Sequence, residues 1–467
     1  MSEQSARTVI DNLDRKDLDE LSARFAGRLI RPGDGDYDDA RAVWNGMIDR
    51  HPALIARCSA VADVAAATKF ARTHGLPVSV RGGGHHVAGS AVADSGLVVD
   101  LTDMTRVDVD PAARTIRAEG GARWGELDHA AQRYGLATPG GVVSDTGIAG
   151  LTLGGGFGWL RRTYGLSCDN LVSVEMVTAA GSVVTASETE NPDLFWAVRG
   201  GSGGLGIVTS FEYRLHPVGP DLMVAVVFYP GDAAHDVLRF YRKYAASTPD
   251  EVNTFAILGV VPELEDLPVE AHGQPCVLLL GCYVGPIDEG ERALQPLREA
   301  AAPIADLSGP MPYVELQTFW DEDYPAGELH YYWRSLFLNG LGDDALNALI
   351  GLAREAPSPL STLDIWQLGG AISRVAPDAT AFSRRTAPYL LGIEANWASP
   401  EDDAANVAWA RRVAQTMLPF SDGGQYVNFA VPTTQDPASP QAMFGPNHHR
   451  LAEIKARYDP DGLFRAG

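Results

Sequence analysis

Eight glycines fall between positions 140 and 158, in Pro139-Gly140-Gly141-Val142-Val143-Ser144-Asp145-Thr146-Gly147-Ile148-Ala149-Gly150-Leu151-Thr152-Leu153-Gly154-Gly155-Gly156-Phe157-Gly158. A regular core helix or strand does not tolerate that density, because every glycine gives up side-chain packing and adds backbone freedom that folding must restrict. The interleaved Val, Ile, Leu and Phe argue against a solvated linker. The pattern predicts main chain laid against a long ligand. Two shorter runs repeat the signal. Val78-Ser79-Val80 reads as a strand and enters Arg81-Gly82-Gly83-Gly84-His85-His86. Arg199-Gly200-Gly201-Ser202-Gly203-Gly204-Leu205-Gly206 enters the apolar Ile207-Val208-Thr209. Bare backbone N–H groups in such a turn can cradle a pyrophosphate without a lysine. The run at 81–86 is neither a P-loop, since no Gly-Lys-Ser/Thr follows, nor a Rossmann fingerprint. Three such turns in one region predict a dinucleotide-sized ligand touched several times.

The rest of the chain frames that region. At 467 residues, two or three domains are expected. Residues 1–45 read as a helix and lead-in. Residues 46–218 alternate short apolar runs with the Gly-rich turns, with a helix at 62–74, a helix at 124–134 and a hairpin of 172–178 with 182–186. Residues 219–416 change texture: strands at 223–229, 254–261, 276–284, 363–369 and 389–397 alternate with helices near 234–246, 288–301, 343–354 and 402–417. That pattern predicts an antiparallel sheet covered by helices on one face, an α+β arrangement. Residues 417–467 read as a strand at 426–429 and a final helix. The formal net charge of −23 excludes nucleic acid and anionic membrane surfaces as natural partners. No apolar run reaches the roughly 18 residues of a membrane span. Four cysteines, Cys58, Cys168, Cys276 and Cys282, have neither disulfide-scaffold nor zinc spacing. With no signal-type apolar core at the N-terminus, a cytoplasmic location is expected. His448 and His449 are adjacent, so they do not share a helix face, and no metal site is expected.

Six motifs occur in order: Arg81-Gly82-Gly83-Gly84-His85; Gly154-Gly155-Gly156-Phe157-Gly158; Tyr164-Gly165-Leu166-Ser167-Cys168-Asp169-Asn170; Asn191-Pro192-Asp193-Leu194-Phe195-Trp196-Ala197-Val198-Arg199-Gly200; Tyr426-Val427-Asn428; and Tyr458-Asp459-Pro460-Asp461-Gly462-Leu463-Phe464-Arg465. Together they resemble the bacterial berberine-bridge-enzyme-like oxidases of the vanillyl-alcohol oxidase / p-cresol methylhydroxylase superfamily, over residues 20–467. The resemblance implies a two-part FAD-binding domain of the p-cresol methylhydroxylase type, a substrate domain over the flavin ring, and a C-terminal segment returning to the FAD domain. It implies an FAD-linked oxidase of a small organic substrate, with hydride passing to flavin N5 and dioxygen as acceptor, giving hydrogen peroxide. A monooxygenase or oxidative cyclase of secondary metabolism, working through an oxygenated flavin, is the alternative. A non-catalytic protein that kept the fold is a third reading, opposed by the intact glycines, His85 and Tyr426.

The resemblance also assigns residues. The histidine closing the first motif bonds to the flavin 8α carbon; that position is His85, with His86 the competing candidate. The implied FAD contacts are Arg81, Gly82, Gly83, Gly84, His85, His86, Gly89, Val143, Thr146, Gly147, Gly150, Gly156, Gly158, Val208, Tyr426 and Asn428. Many relatives add a cysteinyl bond from a G-x-C-P-T-x-G stretch. Here Val143 stands at the cysteine position, so a single covalent bond is expected, and Cys168 is read as a buried small hydrophobe. Thr146 falls beside flavin C4a and N5, where a small residue leaves room for oxygen. Two groups compete as catalytic base: Tyr426, whose unperturbed pKa of about 10 must fall to act near neutrality, and Asp364. Aromatic residues of the 219–416 region, Trp320, Trp333 and Trp366 among them, are candidates for an apolar pocket.

Overall fold

The computed structural model describes residues 3–431 and 439–464. Helix Val61–His74 buries Val64, Ala67, Phe70 and Ala71, the residues that recur at helical spacing, and stops where Gly75 turns left-handed at φ 67°. It lies over a four-stranded sheet ordered Arg28–Ile30, Leu54–Arg57, Leu97–Asp100 and Val78–Arg81. The last three strands of that sheet run parallel. A second sheet is antiparallel and five-stranded: Val107–Asp110, Thr115–Glu119, Ile207–Arg214, Leu171–Val177 and Val183–Ser187. Its last two strands form the expected hairpin.

The third sheet is eight-stranded and wholly antiparallel. Its long strands are Asp221–Pro230, Pro275–Tyr283, Val252–Val260, Thr362–Gln367, Tyr389–Trp397 and His330–Leu338. Helices Ala234–Ala245, Ile287–Arg298, Asp343–Ala353 and Asp403–Met417 cover one face. The period of two along each strand divides the faces. Ala225, Val227, Leu363, Ile365, Leu391 and Ile393 meet the helices. Val224, Val226, Phe255, Trp366 and Leu390 meet the opposite core, shared with Phe157, Trp159 and Tyr426. Both faces are buried, so these strands carry nearly continuous apolar runs.

Two sequence expectations need correction. Residues 426–429 are not a strand: Val427–Phe429 is a short 3-10 turn, held because the Asn428 side chain donates to the Leu151 carbonyl and the Tyr426 hydroxyl. Strand His330–Leu338 was not anticipated. The final helix, His448–Tyr458, leads to Leu463 and Phe464, which pair with Val78 beside the first Gly-rich turn. Arg465 of the last motif lies outside the described residues.

Candidate active site

The first two Gly-rich turns touch backbone to backbone. A Cβ on Gly83 would sit 2.4 Å from the Gly147 nitrogen, and one on Gly147 would sit 2.3 Å from the Gly83 nitrogen. Beside this contact lies a cavity of about 290 Å³. The turn at 82–86, the segment 141–151 and the third turn at 202–208 line one side. Residues of the eight-stranded sheet and Tyr426, Asn428 and Phe429 line the other. Gly82, Gly83, Gly84, His85, His86, Val143, Thr146, Gly147, Gly150, Val208, Tyr426, Asn428 and Asp364 all border this one space. At Gly150 and Gly203 an added Cβ would meet no protein atom within 4 Å, so these two positions face open room.

The two histidines differ in their partners. His85 Nε2 lies 2.8 Å from Asp145 Oδ1. Burial raises the Asp145 carboxyl, but the hydrogen bond and charge of His85, with Arg123, outweigh burial and hold it below the ordinary range. An ionised carboxylate only accepts, so Nε2 carries the shared proton and a neutral ring keeps its lone pair on Nδ1. The His85 ring stacks on Trp44 at 4.4 Å, and Trp44 stacks in turn on Tyr331 at 3.7 Å. His86 has both nitrogens engaged: Nδ1 accepts from the Ala88 N–H at 3.1 Å, and Nε2 donates to the Val427 carbonyl at 3.2 Å.

Tyr426 is buried, and burial pushes its phenol further above the usual value despite bonds from Gly156 and Asn428. Its oxygen accepts from the Gly156 N–H at 3.1 Å and from Asn428 Nδ2 at 2.7 Å. With two donors satisfied at the oxygen, its own O–H remains to donate.

Across the cavity two carboxylates share a face. Asp364 pairs with Gly392 across neighbouring strands, and Glu394 lies two residues further along. A Cβ on Gly392 would lie 3.1 Å from Glu394 Oε1, 3.4 Å from the Asp364 Cβ and 3.5 Å from Trp366 Nε1. Burial pushes Asp364 up to about 7. Burial and the Asp364 charge push Glu394 well above the ordinary range. The Tyr324 hydroxyl donates to Glu394 Oε2 at 2.7 Å. Asp364 Oδ1 and Trp366 Nε1 are buried without a hydrogen-bond partner. Trp320, Tyr324, Trp333, Trp366 and Phe429 enclose this end. Glu394 and Tyr324 were missed from sequence; a carboxylate inside the apolar run at 389–397 was the one available signal.

Other assigned positions stand outside the wall. Arg81 Nη1 donates to the Ala40 carbonyl at 2.7 Å. Gly89 packs on Ile48 and Gly158 on the Gly140 carbonyl, while Gly156 supports Tyr426. Cys168 is fully buried, and burial raises its thiol, with Asp169 adding to the effect. Among the described residues, no group of three His, Cys, Asp or Glu side chains is placed to hold a metal. No described helix is long and apolar enough to cross a membrane.

Comparison with known proteins accords with this geometry. Residues 52–187 match the FAD binding domain family, and residues 425–467 match the berberine and berberine-like family. An uncharacterised FAD-linked oxidoreductase of Bacillus subtilis is 33% identical, across 95% of this chain and 96% of that protein. The solved structure of a Physcomitrella patens berberine-bridge-enzyme-like protein superimposes with a TM-score of 0.85 at 25% identity, covering 96% of this chain and 97% of that one. That of 6-hydroxy-D-nicotine oxidase from Arthrobacter nicotinovorans gives 0.83 at 27%, covering 95% and 97%. A relative this similar over nearly the whole length decides the matter: the chain belongs to the berberine-bridge-enzyme-like FAD-linked oxidases.

Proposed function

We propose that the protein oxidises a small organic substrate with an FAD bound along the three Gly-rich turns and bonded at its 8α carbon to His85. The observation that carries this reading is one cavity bordered by all three turns, His85, Tyr426 and Asp364. The open room at Gly150 and Gly203 and the run of unshielded backbone fit a dinucleotide. Held there, FAD would supply a two-electron acceptor for the substrate's hydride, with dioxygen as the final acceptor and hydrogen peroxide as the product. His85 is favoured over His86 as the tether because both His86 nitrogens are engaged with backbone. Asp145 holds the His85 ring through Nε2, leaving Nδ1 as the nucleophile. Val143 lacks a thiol, so the tether is single. Asp364, close to neutrality, suits a base. Tyr426, raised further, suits a hydrogen-bond donor that orients the substrate. Trp320, Trp333 and Phe429 exclude water around the reacting carbon. Acid precipitation of purified protein tests the tether: yellow colour must stay in the pellet, and digestion must yield one flavin peptide containing His85. Peroxide released in step with dioxygen uptake tests the acceptor.

A further inference from the structure

The segment between helix Tyr313–Gln317 and strand His330–Leu338 belongs by sequence to the eight-stranded sheet, yet it is pinned to the other half of the molecule. Trp44 Nε1 donates to the Tyr324 carbonyl at 2.9 Å, and the Gly327 N–H donates to the Trp44 carbonyl at 2.8 Å. Asp321 makes the tightest pin of this strap. Its Oδ1 accepts from the Ser144 N–H at 2.8 Å, and its Oδ2 accepts from the Ser144 hydroxyl at 2.5 Å. Both oxygens of one carboxylate close on one residue, at the lengths of charge-assisted bonds. Trp320 and Tyr324, on either side of the short 3-10 turn Asp321–Asp323, line the cavity.

Ser144 stands at a corner of the chain. The Thr146 N–H donates to the Val143 carbonyl at 3.3 Å, which closes a β-turn with Ser144 and Asp145 in its two central positions. The closing bond of such a turn does not use the N–H of the first central residue, so that group is free for Asp321. The second central residue, Asp145, holds His85 Nε2. One corner therefore links the strap to the histidine of the first Gly-rich turn. Its inner side is fixed as well: the Ser144 carbonyl accepts from the Gly125 N–H at 2.8 Å, and the Thr146 carbonyl from the Trp124 N–H at 3.0 Å. The proline of the G-x-C-P-T-x-G stretch would pre-set the backbone at the Ser144 position but has no N–H to donate. With serine there, the stiffness of the corner comes from a partner, and Asp321 is that partner.

We propose that Asp321 is a positioning residue for flavin attachment: by holding Ser144 it fixes Asp145, and through Asp145 it fixes the His85 ring in the attitude that aims Nδ1 at the flavin. The proposal rests on the His85 tether and deepens that reading. The His85 Nδ1 lone pair forms the bond to the 8α carbon, one C–H bond there breaks, and its electron pair reduces the flavin. Dioxygen then takes up that pair as hydrogen peroxide. In net terms the methyl group and the imidazole each give up one hydrogen, and dioxygen gains both. Asp321 touches none of the reacting atoms and acts only through the distance and angle at which Nδ1 is held. Because Trp320 and Tyr324 ride on the same strap, one contact sets both the substrate wall and the tether.

The test follows full-length enzyme sampled through expression. Total flavin is read from absorbance, and acid-stable flavin from the precipitate and the intact mass. Asp321→Ala is expected to keep its FAD but to tether it roughly tenfold more slowly, the scale of a lost charge-assisted bond, so the acid-stable share falls while total flavin holds. Asp321→Asn keeps an oxygen for the Ser144 N–H and is expected to fall between that variant and the parent. In an Asp145→Asn background, Asp321→Ala is expected to add little, because both act on one ring. An unaltered acid-stable share in Asp321→Ala overturns the proposal. So does total flavin that falls in step with the acid-stable share, which marks a loss of fold or of FAD binding, and so does full additivity with Asp145→Asn. The parent tests the tether apart. A parent that loses all its flavin on acid precipitation removes that reading and this proposal with it, whereas a parent that keeps it beside an unaltered Asp321→Ala removes the proposal alone.

Discussion

His85 and His86 are neighbours whose ring nitrogens hold different partners: a carboxylate for His85, backbone groups for His86. His86→Ala removes two backbone bonds and should leave covalent flavin at full stoichiometry in an intact-mass spectrum. His85→Ala should bind FAD that washes out on denaturation, and Asp145→Asn should slow tethering because the ring loses its fixed tautomer. Covalent flavin persisting in His85→Ala would refute the assignment. The base is decided by a second comparison. Asp364 must be ionised to accept a proton, so flavin reduction should rise with pH through about 7 and level off above it. Asp364→Asn should lower the reduction rate by roughly 10²–10⁴-fold and flatten that profile. Tyr426→Phe removes one hydrogen bond to the substrate, a loss of roughly tenfold, together with the two that the hydroxyl accepts from Gly156 and Asn428, and should leave the profile in place. Rapid-mixing absorbance of the reductive half-reaction separates the two. Sequence leaves Tyr426 and Asp364 competing as base because motif position carries no information on burial. Glu394 was illegible for a related reason: its partnership with Asp364 depends on the register between two strands, and no local pattern encodes register.

At the scale of elements, composition was the legible part. Strands and helices of the 219–416 region showed through because their apolar runs and periodicities are long. His330–Leu338 did not, because Tyr331-Tyr332-Trp333-Arg334-Ser335 mixes polar and aromatic residues on a strand buried on both faces, and alternation vanishes there. The turn at 427–429 imitated a strand through its β-branched and aromatic content, while a side-chain amide bent it. The glycine clusters predict main chain laid against a long ligand, and the fold adds a backbone contact between two of the turns that sequence does not encode. Some glycines meet the neighbouring turn and others face the cavity. Gly83→Ala places a Cβ against the Gly147 backbone, and neither chain can yield without moving a turn. This variant should lose most bound FAD, measured as the ratio of flavin to protein absorbance, and melt earlier. Normal occupancy in Gly83→Ala would show that the contact between the turns is not required.

The whole molecule depends on contacts between the second and third sheets, and one of them titrates. Asp128 lies on helix Trp124–Gln132 beside the five-stranded sheet. Gln317 ends helix Tyr313–Gln317, which follows a strand of the eight-stranded sheet. Gln317 Nε2 donates to Asp128 Oδ2 at 2.6 Å in a buried setting. Burial raises the Asp128 carboxyl from 3.8 to about 7, with the Gln317 bond opposing the rise. The folded state therefore holds this proton more tightly than the unfolded chain. Its contribution to stability is complete below about pH 4, declines as pH rises, and is gone above about pH 7. At roughly 1.4 kcal/mol per pH unit, the loss is on the order of a few kcal/mol. Asp128→Asn keeps the shape and an oxygen to accept from Gln317, and it cannot ionise. The variant should match the parent near pH 4 and melt at a higher temperature at pH 8, with the gap opening between those values. Scanning calorimetry across that range reads the difference directly. A variant that melts lower than the parent at pH 8 would mean that Asp128 is folded as a carboxylate, with a cation or water beside it that holds its charge.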